Sequence, residues 1–148
     1  MLLNLLSKDE KHKFLDLLVR VINIDGPTSD TEKLIIEKLR YEMGEEALKY
    51  HYSNAPIEKL IDYFAQKPTA TKNLVFYNII NASLSDEFYS VEEHLVIERL
   101  QEAFQISAKK RTEIMKTVYA ERDLREKAKR VISEWLNGEA MLLAFLFL

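Results

Sequence analysis

The sequence predicts an all-α fold of about seven helices, and three observations lead there. Residues 14–44 lie without a gap over residues 75–105 at an offset of 61, pairing Asp25 with Asp86, Ser29 with Ser90, Glu32 with Glu93 and Glu37 with Glu98. The apolar register agrees, with Leu18 over Ile79, Ile36 over Ile97 and Leu39 over Leu100, and such a repeat of one supersecondary unit largely sets the architecture. Three Ser-x-x-Glu capping boxes stand ahead of apolar runs with helical period, at Ser7, Ser29 and Ser90. Only 3 glycines and 3 prolines occur in 148 residues, so little turn chemistry separates long runs of good helix formers.

In order along the chain, Ser7-Lys-Asp-Glu10 starts a helix from about Lys8 to Ile24 whose apolar set is Phe14, Leu15, Leu18, Val19, Val21 and Ile22. Asp25-Gly-Pro-Thr stops it, because Gly26 accepts positive φ and Pro27 pushes its predecessor out of the α region. Ser29-Asp-Thr-Glu32 opens a second helix ending near Met43, with Gly44 as its stop, and a short helix is expected over Glu45–Tyr50. Asn54-Ala-Pro56 places an N-cap and a helix-compatible proline ahead of Ile57–Gln66, which Pro68 closes. Thr71 then caps a helix to about Leu84, Ser90-Val-Glu-Glu93 opens one to about Gln105, and Ser107 caps a last helix, about 108–137, ended by Gly138. That length predicts a break near Ala120–Asp123. The expected arrangement is a single domain over 1–148: two helix pairs related by pseudo-twofold symmetry, a linking helix, a C-terminal helix wrapped around them, and an apolar tail, 139–148.

Composition narrows the function classes. Without cysteine the chain forms no disulfide, thiolate metal site or cysteine nucleophile, which fits a reducing compartment. The first residues lack the basic start of a signal peptide, and the apolar run Ala140–Leu148 is far shorter than a membrane span, so a cytoplasmic protein is expected. The net charge of −3 divides unevenly: residues 1–106 carry 12 Lys/Arg against 18 Asp/Glu, and residues 107–148 carry 9 against 6. Pairs four residues apart (Glu121 with Arg125, Asp123 with Lys127, Glu126 with Arg130) predict that the basic segment is a self-paired, solvated helix face, and nucleic-acid binding is not expected. No Gly-x-Ser-x-Gly or Walker loop occurs and the three histidines are scattered, so no catalytic residues are assigned and the chain is read as non-enzymatic. His94 and Glu98 are read as a surface pair, and Tyr50-His51-Tyr52 and Phe88-Tyr89 as core or rim aromatics.

The repeated acids mark the candidate site. On a helical projection Glu32 falls inside the stripe of Ile35, Ile36, Leu39 and Met43, and Glu93 inside that of Val96, Ile97, Leu100 and Phe104. Asp25 and Asp86 fall in the apolar sectors of the preceding helices, at C-terminal ends whose partial negative charge disfavours an anion. Leu34 and Leu95, on the opposite side of their helices, predict cover on two faces, and Glu37 and Glu98 are expected to be exposed. A divalent cation would offset the crowded carboxylates, whose hard oxygens suit Mg²⁺, Ca²⁺ or Mn²⁺. The alternative is that Glu32 and Glu93 only complete capping boxes while Asp25 and Asp86 accept amides in the turns. The Asp-x₆-Glu spacing is not that of an EF-hand.

At these residues the chain resembles the TerB-like, tellurite-resistance family of small helical proteins. The resemblance rests on the apolar helix ending in Asp25-Gly26, the short loop, Ser29-Asp-Thr-Glu32, and the second copy Leu84-Ser-Asp86 to Ser90-Val-Glu-Glu93, and covers about residues 8–137. It implies an internally duplicated bundle of about seven helices, divalent-metal chelation at Asp25, Glu32, Asp86 and Glu93, no other cofactor, and a link to stress and metal-resistance systems at the inner face of the membrane through protein partners. The second copy departs from the pattern, with Glu87-Phe88 in place of Gly26-Pro27. Two functions follow: an ion-responsive TerB-like module, or a purely structural protein-interaction module without a metal. Met141–Leu148 is expected to pack on its own domain or to join two copies as a homodimer.

Overall fold

The computed structural model describes residues 2–24, 26, 30–84 and 90–133, Thr31 and Glu32 by their backbone alone. The Asp25 and Asp86 positions, Ser29, and the tail with its expected packing therefore lie outside the described residues. A 3₁₀ turn at Leu3–Leu5 precedes seven helices: α1 (Lys8–Ile22), α2 (Asp30–Met43), α3 (Glu45–Leu48), α4 (Ile57–Ala65), α5 (Thr69–Ser83), α6 (Val91–Ala103) and α7 (Ala108–Ser133). The fold is all-α, and no described residue is in a strand. No described helix is long and apolar enough to cross a membrane.

α1 and α5 each run 15 residues and begin 61 residues apart, at Lys8 and Thr69; α2 and α6 also begin 61 apart, at Asp30 and Val91. α1 is central, packing on α2, α3, α4, α5 and α6, while α5 packs on α1, α4, α6 and α7. Phe14, Leu15, Leu18, Val75, Phe76 and Ile79 are fully enclosed and join Phe64, Leu60 and Leu100 in one core. α5 is buried nearly all round, from Val75 through Ser83 apart from Tyr77, as a helix with elements on several sides must be. Gly44, at φ 84°, occupies the left-handed conformation that ends α2 and opens α3.

Several expectations are corrected. α7 runs unbroken through 120–123, because its residues are good helix formers without Gly or Pro and its apolar side lies against α5. Thr71 is inside α5, which starts after Pro68, whose extended backbone leads into the first turn. Asn54 does not cap α4: it is in the left-handed region, at φ 56°, and its carbonyl and side chain both accept from Arg20, so Pro56 takes the cap position. Leu95 is exposed rather than covered. Among the described residues, the three α7 pairs predicted at four-residue spacing do not close; Lys110–Glu113 and Lys129–Glu126 form instead, at 3.0 and 3.1 Å. Exposed ion pairs are worth only tenths of a kcal/mol, about what side-chain freedom opposes, so spacing alone does not dictate them.

Candidate functional site

Two of the three Ser-x-x-Glu helix starts, those of α1 and α6, lie among the described residues. At α1 the box is complete: the Ser7 hydroxyl accepts from the Glu10 amide at 3.2 Å, and the Ser7 amide donates to Glu10 Oε1 at 2.8 Å. Burial raises the Glu10 pKa, but the Ser7 amide and hydroxyl and the nearby Lys67 outweigh it and hold the carboxyl below its ordinary value. At α6 the serine half of that arrangement is present. The Ser90 hydroxyl accepts from the Glu93 amide at 3.0 Å and itself stands 3.4 Å from Glu93 Oε1, while the Glu93 side chain, 2% exposed, turns into the protein beside Val96 and Ile97. The difference follows from the helical stripe: Glu93 is on the core-facing side of α6, whereas Glu10 lies near the rim, where Lys67 meets it.

Of the four candidate acids, the structure thus describes the side chain of Glu93 alone; Glu32 is placed by its backbone in the first turn of α2, and Asp25 and Asp86 lie outside the described residues. Ser107 caps α7, accepting from the Lys110 amide at 3.0 Å. Glu37 and Glu98 are exposed, and Glu98 meets His94 at 3.0 Å across one helical turn. Among the described residues no group of three or more His, Asp or Glu side chains is arranged to hold a metal ion.

Sequence reasoning missed a polar latch on α1. Asp16, 3% exposed, accepts from the Tyr50 hydroxyl at 2.7 Å, from the Ser53 amide at 3.2 Å and from the Ser53 hydroxyl. Burial, then the Asp16 carboxylate, pushes the Tyr50 phenol well above its ordinary pKa, which keeps it a donor. One turn on, Arg20 donates to the carbonyls of Ala55 and Asn54 at 3.0 and 2.9 Å and to Asn54 Oδ1 at 2.8 Å. Buried Lys11 reaches Glu46 at 3.1 Å, and His12 Nε2 stands 2.8 Å from the Glu46 carbonyl. The signal was present: Lys11 shares the spacing of Leu15, Leu18 and Ile22, and Asp16 interrupts an apolar run, so both had to be buried and partnered.

On α5 the position 61 after Asp16 is Tyr77, beside Glu121 of α7. Burial and that carboxylate raise the phenol pKa, yet its hydroxyl and Glu121 Oε2, both shielded from solvent, make no well-directed hydrogen bond. They flank a cavity of about 460 Å³ between α5 and α7, whose walls include Leu2, Ala70, Leu74 and Ile114. The pair is a contact of the helix interface rather than a latch. Comparison with known proteins adds no relative, since no family model, no curated protein and no solved structure matches the chain.

Proposed function

We propose that this chain is a non-enzymatic TerB-like module that binds a divalent cation, Mg²⁺, Ca²⁺ or Mn²⁺, at the ends of its two repeat loops and passes that state to protein partners in a stress response. The supporting observation is Glu93. The residue is 2% exposed at the opening of α6, seven residues after Asp86, and its side chain turns toward the core. A carboxylate at the end of a loop is a hard oxygen ligand of the kind that suits those ions. Asp86 and Glu93 would hold one ion and Asp25 and Glu32 the equivalent one.

The experiment is a thermal melt with each ion, on the wild type and on Glu93→Gln. A cation that binds only the native state stabilises it by about 2.7 kcal/mol at one hundred times Kd, a rise of several degrees in Tm. We expect at least one ion to give a saturable rise that Glu93→Gln reduces severalfold while the circular dichroism stays helical. If no ion moves the melt, or the variant responds as the wild type does, the metal reading fails. The structural interaction module then stands, and exposed Val91 and Leu95, four residues apart on α6, are the observation in its favour.

A further inference from the structure

The outward face of α7 departs from the rest of the chain in charge. The helix carries nine Lys and Arg against four Asp and Glu in its 26 residues, in a protein whose net charge is −3. Its two ion pairs, Lys110–Glu113 and Lys129–Glu126, leave Lys109, Lys116, Lys127 and Arg130 exposed and without an ion pair among the described residues. At 100° per residue these four fall within about 60° of one another's mean direction, opposite buried Ile114 and Val118, which face the protein. At the edge of this face, about 60–80° from its centre, stand Val131, 58% exposed, and Leu124, 67% exposed, one heptad apart with Ala120 beside them, and the same sector holds Asp123 with Glu113 and Glu126, the last two paired to Lys110 and Lys129. A helix of this length presents a straight surface about 39 Å long, because each residue advances about 1.5 Å.

We propose that this face of α7 lies on an anionic lipid surface. Cations attract acidic headgroups at close range, and apolar side chains interleaved with them enter the headgroup boundary, which together make an interfacial helix that lies on a membrane without crossing it. Leu124 and Val131 select lipid over nucleic acid: a phosphate backbone satisfies Lys116, Lys127 and Arg130 but offers those side chains no apolar phase. Neither the cation at the repeat loops nor any protein partner is needed for this contact.

The test is sedimentation of the full chain with vesicles of phosphatidylcholine and phosphatidylserine, three to one, against pure phosphatidylcholine. Partitioning onto the acidic vesicles should be at least about tenfold stronger and should weaken with salt. Each cation contributes roughly fivefold, so Lys116→Gln, Lys127→Gln and Arg130→Gln together should reduce binding about a hundredfold. Leu124→Ser with Val131→Ser should reduce it about tenfold and leave the salt dependence. All five residues are exposed, so both variants keep the wild-type melt. Equal binding to neutral vesicles, or a triple variant that binds as the wild type does, overturns the proposal. So does a duplex RNA that displaces the vesicles and binds the serine variant undiminished, since the face would then recognise phosphate alone.

Discussion

α1 and α5 have the same length and the same place in the repeat, yet they are covered by different chemistry. From different sides of α1, Lys11, Asp16 and Arg20 hold the end of α3 and the loop after it, from Glu46 to Ala55, through directed hydrogen bonds and an ion pair. The positions 61 residues on are Lys72, Tyr77 and Asn81; Tyr77 lies beside Glu121 of α7, and Tyr77 Oη and Asn81 Oδ1 are shielded without a well-directed partner. A segment without regular structure brings unpaired backbone groups that must be met by side chains, whereas a helix has already paired its own. The same frame therefore needs buried polar residues under a loop and tolerates apolar packing under α7.

The largest expected effect tests the part the two helices share. Leu18→Ala and Ile79→Ala each remove a fully enclosed side chain at equivalent positions, and each should cost about 2–5 kcal/mol in urea denaturation. Values differing by more than the usual spread would mean that the two cores are not equivalent in packing.

The latch sharpens the comparison. Asp16→Ala removes the buried acceptor of the half-buried Tyr50 hydroxyl and of both donors of exposed Ser53, and should destabilise by about 2–3 kcal/mol. At the matching position Tyr77→Phe removes a hydroxyl with no well-directed bond, so it should shift stability by less than about 1 kcal/mol in either direction. Equal losses from the two substitutions would contradict the distinction between a latched and a packed face.

The smallest effect separates the two helix starts by pH. The folded-state pKa of Glu10 is depressed, so its contribution is fully present above the pKa of the unfolded chain and disappears as pH falls through the lower folded value. Glu10→Gln should therefore reduce stability at neutral pH and flatten the acid limb of the stability curve, measured by denaturation from neutral pH down to strongly acidic conditions. An unchanged acid limb would show that the Ser7 box and Lys67 do not set the ionisation of Glu10.

Element boundaries were legible where a serine box or a glycine sets them by local chemistry, and not at α4 and α5, where Asn54 and Thr71 are not the caps. Ser7 with Glu10 placed the start of α1, Gly44 the end of α2, and Ser107 the start of α7, each from interactions spanning a few residues. The inward turn of Glu93 was legible for a related reason, since helical period assigns a face before any partner is known.

By itself, the sequence determined the helical class, the 61-residue register and the apolar stripes, all of which follow from short-range capping and periodicity. Tertiary structure decided which polar residues the interior would accept and which charges would stay outside. Asp16 is satisfied by Tyr50 and Ser53, more than thirty positions away, and Asn54 is withdrawn from capping by Arg20 at a similar separation. Leu124 and Val131 are exposed because the side of α7 that turns inward carries Ile114 and Val118. Burial and partnership are properties of what comes to lie against a residue, and that depends on how distant segments pack rather than on the residue's neighbours in the chain.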